Sequence, residues 1–267
     1  MDASLIALPR MAPAVLADRV VLVTGASGAL GDAASRACAQ AGATVVLLGR
    51  RVPKLNRLYD AIEAIGSGSA AAAIYPLDLL GASPADYAEL AQRIESEFGR
   101  LDGILHAAAE FRGLTPLANT EPEDFINALH VNVGAPFLLT RACLPLLRRA
   151  ADSAIVFVLD DLVRIGRAYW GGYAVAKYAL DGMVKVLADE LENSCVRVTA
   201  LQPGPMQTPL RAKAFMTEAP GKWPHASAYA DACVHLLSAA GADRRGQVWA
   251  PEIGATNAMI RDERGLI

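Results

Sequence analysis

The sequence predicts an α/β fold: a doubly wound parallel sheet of about seven strands with helices on both faces, in a single domain. Three observations lead there. Short β-rich apolar runs alternate with longer helical patterns along most of the chain. These runs are continuously apolar, as strands are when both faces of their sheet are covered. A glycine-rich turn joins the first run to the first helical pattern, which makes the sheet Rossmann-like.

The elements follow in order. RVVLVTG (Arg19 to Gly25) is the first strand, and the helix after it runs to Ala41. TVVLLG (Thr44 to Gly49) is the second strand, followed by a helix to Ile65. AAIYPLD (Ala72 to Asp78) is the third, with a helix from Pro84 to Phe98. LDGILHAA (Leu101 to Ala108) is the fourth, followed by a long helix from about Glu121 to Arg149. AIVFVLD (Ala154 to Asp160) precedes a helix from about Tyr173 to Glu192, and VRVTALQPG (Val196 to Gly204) precedes a last helix and a strand ending near Val248. There is no internal repeat, and the one low-complexity stretch is GSGSAAAA, Gly66 to Ala73. In such a sheet, ligands sit beyond the carboxyl ends of the strands, where the strand order reverses.

Composition narrows the function. At 267 residues the chain suits one large α/β domain. Its apolar residues make up 53 %, but no run reaches the length of a bilayer span. A net charge of -3, with Lys and Arg scattered, gives no electrostatic footprint for nucleic acid. Cys38, Cys143, Cys195 and Cys233 lie too far apart for a zinc site or redox pair and read as packed small residues, so no metal is expected. Residues 1–17 read as an N-terminal arm without fixed structure, with the domain running from 18 to 267. Asp2, Pro9 and Pro13 in the arm suit neither a secretory signal nor a membrane anchor, so a cytoplasmic protein is expected, with Met11 a second candidate start.

Several strand ends carry chemistry. TGASGALG, Thr24 to Gly31, stands between a buried strand and a helix, where backbone N–H groups and the positive helix end can hold a pyrophosphate. Tyr173 and Lys177 are one helical turn apart and share a face. The connection from Pro203 to Ala226, with Pro205, Pro209, Pro220 and Pro224, reads as a lid or as a self-packed surface loop.

TGASGALG, Asp78-Leu79, Asn132, the Tyr173/Lys177 pair and PGPMQT (Pro203 to Thr208) occur in the order and spacing of the short-chain dehydrogenase/reductase family, which the chain resembles from Asp18 to about Pro251. GRAYWGGYAVAK and the following VLADE are most similar to the YciK group of bacterial oxidoreductases. The resemblance implies NAD(P), with Gly25, Ser27, Gly28, Leu30 and Gly31 at the pyrophosphate and ribose and with Asp78 and Leu79 beside the adenine. Ala107, Pro203, Gly204, Met206 and Thr208 would also line the cofactor. Gly49 stands where NAD-preferring members carry an acid and Arg50 follows it, so NADP(H) is preferred and NAD(H) is the lesser choice. Arg50 and Arg51 also read as a solvated helix start.

The same resemblance makes Tyr173 the acid/base, makes Lys177 the cation that lowers its pKa and holds the nicotinamide ribose, and has Asn132 fix a helix distortion. The family's catalytic Ser falls on Asp160. An ionised Asp can only accept hydrogen bonds, and its charge would raise the pKa of Tyr173, whereas a protonated Asp160 could donate. Asp160 also reads as an acid paired with Lys177 or Arg164, or as one pointing to solvent from a strand end. Ala29 replaces a family glycine, and HAAA (His106 to Ala109) replaces an Asn-Ala-Gly motif, with His106 read as a packed strand residue.

The expected function is NADP(H)-dependent interconversion of a small-molecule carbonyl and an alcohol, with Asp160 as a modified partner. The alternative is a cofactor-binding protein without turnover, serving sensing or assembly. Trp170, Phe111, Phe215 and Trp223 would make the substrate pocket apolar, and Arg211 or Lys213 would meet an acidic group. A homodimer or homotetramer is expected through the helices at 121–149 and 173–192, which the family pairs across subunits. Leu138, Leu139, Leu144 and Leu146, with Leu180, Met183, Val184, Leu187 and Leu191, look like more apolar surface than one sheet can cover.

Overall fold

Seven strands, all parallel, form one sheet in a computed structural model that describes residues 14–65 and 71–251. They are β1 (Val20–Thr24), β2 (Thr44–Gly49), β3 (Ala72–Pro76), β4 (Gly103–His106), β5 (Ser153–Val158), β6 (Val196–Leu201) and β7 (Val248–Trp249). Their order is β3-β2-β1-β4-β5-β6-β7. The chain winds outward from β1 to β3, then crosses back to β4 on the other side of β1. That crossing leaves a crevice above the carboxyl ends of β1 and β4.

Apolar side chains on both faces of the strands call for two helical layers. On one face pack α1 (Ala29–Gln40), α2 (Val52–Glu63) and α9 (Ala230–Leu237), burying Ala34, Cys38, Leu55, Leu58, Cys233 and Leu236. On the other pack α3 (Pro84–Phe98), α5 (Ala135–Leu147) and α7 (Gly171–Glu190), burying Tyr87, Leu90, Ile94, Leu139, Cys143, Leu180 and Val184. Cys38, Cys143 and Cys233 are core residues and Cys195 is half-buried.

The long helix expected from Glu121 to Arg149 is divided into α4 (Pro122–Leu129), a π turn (His130–Gly134) and α5, with the distortion at Asn132 that the family resemblance implied. The Asn132 side chain explains the break. Its Nδ2 donates to the Ala128 carbonyl at 2.8 Å, inserting a side chain into the backbone ladder that a regular helix would close there.

Most of the expected N-terminal arm lies outside the described residues, as do 66–70 of the GSGSAAAA stretch. Leu16, inside that arm, is fully buried, and its N–H donates to the Ala41 carbonyl at 2.9 Å, so at least this end belongs to the core.

The leucines singled out as surplus apolar surface are not surplus. Leu139, Leu146, Leu180, Val184 and Leu191 are buried in the protein's own core, and Leu138, Leu144, Met183 and Leu187 pack against it. The large apolar side chains that α4, α5 and α7 do expose are Ile126, Phe137, Val175, Tyr178 and Val186.

Candidate active site

The turn after β1 forms a cradle that only small residues permit. Gly25 has φ +64°, and a Cβ on it would lie 2.7 Å from Ala108 Cα. A Cβ on Gly31 would lie 2.2 Å from the Gly25 carbonyl oxygen. Gly28 caps α1, and Ala29 is its first residue, so the first-turn N–H groups, which lack partners inside a helix, open onto the cradle. This arrangement fits a pyrophosphate.

A cavity of about 730 Å³ extends from the cradle along the strand ends to α7. Every residue expected to touch a cofactor lines it: Gly25, Ser27, Gly28, Leu30, Gly31, Arg50, Asp78, Leu79, Ala107, Tyr173, Lys177, Pro203, Gly204, Met206 and Thr208. Beyond β2, Arg50 is half-exposed, with Nη1 3.9 Å from Asp78 Oδ2 and Nη2 4.0 Å from Glu110 Oε2. These long pairs hold the guanidinium loosely. Arg36, Arg51, Lys54 and Arg57 border the same end, a positive rim that spacing alone did not reveal.

At the other end stand Tyr173 and Lys177, both buried on α7. Lys177 Nζ donates to the Val158 carbonyl at 2.7 Å and lies 5.7 Å from the Tyr173 ring centroid. Burial lowers the Lys177 pKa to about 8, with the charge of Asp160 opposing that shift. The Tyr173 phenol is held well above its ordinary value, first by burial, then by the charge and hydrogen bond of Asp160, with Arg164 opposing. The family's usual effect, a phenol brought toward neutral pH, is therefore not what this arrangement does by itself.

The two consecutive acids have different jobs. Asp161 caps the short helix α6 (Leu162–Ile165), its Oδ1 accepting from the N–H groups of Val163 and Arg164 at 3.1 and 3.2 Å. Asp160 turns inward and is nearly buried. Its Oδ2 accepts from the Tyr173 hydroxyl at 2.9 Å, and its Oδ1 accepts from Asp161 N–H at 2.7 Å and from Arg164 Nη2. Of the two cations that spacing allowed as its partner, Arg164 is the one that pairs with it.

Asn132 is buried outside the cavity lining. Besides Ala128, it holds both backbone groups of Glu110, accepting from its N–H at 3.3 Å and donating to its carbonyl at 2.9 Å. Asn132 thereby ties the π turn to the segment after β4. Glu110, which sequence reasoning passed over, lies at the cavity wall beside Arg50. His106 is a packed strand residue: its ring stacks on Phe157 at 4.6 Å, Nε2 lies 3.0 Å from Thr140 Oγ1, and burial lowers its pKa to about 3.

Trp170 and Phe215 line the cavity, and Phe111 backs them, its centroid 5.3 Å from that of Trp170. The expected acid-binding roles of Arg211 and Lys213 are not supported. Arg211 makes a forked pair with Glu218 at 2.6 and 2.7 Å beneath Trp223, and Lys213 Nζ donates to the Phe111 carbonyl at 3.1 Å. Both cations hold the 203–226 connection, which includes the short helix α8 (Pro209–Ala214), in place.

A parallel sheet with this order, a glycine cradle at its switch point and a buried Tyr–Lys pair at the far end of the same cavity define an oxidoreductase of the dinucleotide-binding class. The chain belongs to the short chain dehydrogenase family, whose model matches residues 19–219. It is 42% identical over 209 residues to the uncharacterized oxidoreductase YciK of Escherichia coli K12, covering 78% of this chain and 81% of that protein. A putative short chain dehydrogenase from Pseudomonas syringae superposes with a TM-score of 0.86 at 42% identity, covering 91% of this chain and 98% of the other. A putative short chain dehydrogenase from Shigella flexneri 2a, solved in complex with NADP, superposes at 0.84 with 36% identity, covering 90% and 99%.

Proposed function

We propose that the protein is an NADP(H)-dependent oxidoreductase that interconverts a carbonyl and an alcohol on an apolar small molecule. The observation that carries this reading is the placement of buried Tyr173 and Lys177 in the same cavity as the glycine cradle. The positive rim around Arg50 and the NADP bound by the Shigella relative favour the 2′-phosphorylated cofactor. When bound, the cofactor supplies or accepts the hydride.

The chain's own residues do the rest. Tyr173 exchanges the proton with the substrate oxygen, and its hydroxyl must turn from Asp160 to do so. The Lys177 ammonium favours the phenolate left behind. Asn132 keeps the π turn and the β4 segment in register below them. Trp170 and Phe215 offer an apolar wall, and the 203–226 connection serves as a lid above it. In this reading the protein is a cytoplasmic homodimer or homotetramer, with α4, α5 and α7 at the interface.

A second reading, a cofactor-binding protein without turnover, draws on the Tyr173 hydroxyl being tied to a carboxylate. Titration of NADPH by fluorescence, with turnover of a broad carbonyl panel, separates the two. Binding together with turnover that Tyr173→Phe abolishes supports the enzyme. Binding with no turnover in either direction supports the second reading.

A further inference from the structure

We propose that Arg164 is the hydrogen-bond donor to the substrate's carbonyl oxygen, taking over the task that residue 160 cannot perform. The inference deepens the carbonyl–alcohol reading and rests on it. Carbonyl reduction builds negative charge on the substrate oxygen, and a donor aimed at that oxygen besides the proton source stabilises it. A carboxylate has no proton to give. Both oxygens of Asp160 are accepting, one from Tyr173 and one from Asp161 N–H and Arg164.

What Asp160 does is place a donor. The phenol of Tyr173 and the guanidinium of Arg164 sit on the two oxygens of one carboxylate, so the two donors converge on the same end of the cavity. Arg164 lines the cavity, with about a quarter of its side chain exposed. Among the described residues, Nη2 is the one guanidinium nitrogen of Arg164 that carries a hydrogen bond. Its remaining N–H donors are thus available to a ligand. The group is held by aromatic faces as well as by Asp160, 5.2 Å from the Trp170 ring centre and 5.7 Å from that of Phe215. A guanidinium stays protonated throughout the working pH range, so the donor is permanent.

Lys177 keeps one N–H on the Val158 carbonyl, its others serving the cofactor ribose in the proposed reading, and Asn132 is spent on Ala128 and Glu110. In the reaction the hydride comes from the cofactor and the proton from Tyr173. Arg164 transfers nothing and holds the oxygen while its charge develops.

A simple charge-balancing role for Arg164 makes a different prediction, and Asp160→Ala separates the two because it removes the charge without adding a donor. Two readouts are compared with and without Arg164→Ala, in the native and the Asp160→Ala backgrounds. The first is turnover of a carbonyl substrate. The second is binding of benzamide, an unreactive carbonyl mimic, to the protein saturated with NADPH. Arg164→Ala is expected to lower kcat/KM by roughly a hundredfold and benzamide affinity by about tenfold in the native background, and by smaller but measurable factors in the Asp160→Ala background, where the Trp170 and Phe215 faces alone hold the guanidinium, with NADPH affinity unchanged in both. Losses that vanish in the Asp160→Ala background reduce Arg164 to a counter-ion and overturn the proposal. So does native protein that, saturated with NADPH, binds no benzamide. If benzamide binding depends on Arg164 but no variant turns over any carbonyl, the donor stands and the oxidoreductase reading fails instead.

Discussion

The Tyr173 hydroxyl donates to Asp160 Oδ2 at 2.9 Å, so the proton of the proposed acid/base residue is tied to a carboxylate. Replacing Asp160 by Ser removes the charge that opposes phenolate formation and supplies a hydroxyl donor. Carbonyl reduction at neutral pH is expected to rise by roughly tenfold to a hundredfold, with Asp160→Asn falling between Ser and the native residue. Steady-state kinetics on one good carbonyl substrate decide it. If Asp160→Ser abolishes an activity that the native protein shows, the carboxylate is required, and Arg164→Ala in the native background tells whether it acts itself or through Arg164.

Lys177, with its pKa lowered to about 8 by burial, is charged below that pH and neutral above it. If the ammonium holds the cofactor, NADPH affinity in the native protein should fall as pH rises from about 7 to 9. In Lys177→Met the affinity should be weaker and flat over the same window. Fluorescence titrations at successive pH values check both curves, and a flat native curve removes Lys177 from cofactor binding.

Arg50→Ala should weaken NADPH binding by about 1.5–3 kcal/mol, the scale of a hydrogen bond to a charged group, and leave NADH nearly unchanged. The loose pairs of Arg50 with Asp78 and Glu110 leave it able to turn toward a 2′-phosphate. Equal losses for the two cofactors would assign the positive rim to solvation.

His106 makes the fold acid-sensitive. Its pKa is about 3 in the folded protein against an ordinary 6.5, because burial disfavours the charged ring. Between those values the unfolded chain binds the extra proton, so stability is lost as pH falls below about 6.5. From pH 7 to 4.5 this one group accounts for about 2–3 kcal/mol of destabilisation. His106→Phe with Thr140→Val keeps the stack on Phe157 and removes both polar partners. Urea midpoints for that variant should shift less between the two pH values than those of the native protein. An identical shift would mean other groups set the acid limit.

Light scattering at micromolar concentration should show a dimer or tetramer, and Phe137→Glu with Val186→Glu should give a folded monomer. Both side chains are exposed in the isolated chain, where an introduced charge costs little by itself. A native monomer would end the proposal.

Much of this could be read from residue order alone. The strand sequence, the glycine turn at Thr24 to Gly31 and the Tyr173/Lys177 pair all rest on short-range patterns, and a buried strand, a tight turn or one helical turn is set by its immediate neighbours. Tertiary packing decided what those patterns left open. Whether Asp160 met Lys177 or Arg164 depended on how α6 and α7 settle over the end of β5. The π turn came from Asn132 finding carbonyls on two separate segments, and the leucines of α5 and α7 proved to be core because both helices lie flat on the sheet. Arg211 and Lys213 were taken up by Glu218 and the Phe111 carbonyl, the latter 102 residues away in sequence. The range of the interaction is the physical reason. A side chain's identity sets what it can bond to, but only the folded chain determines which distant group comes within 3 Å of it.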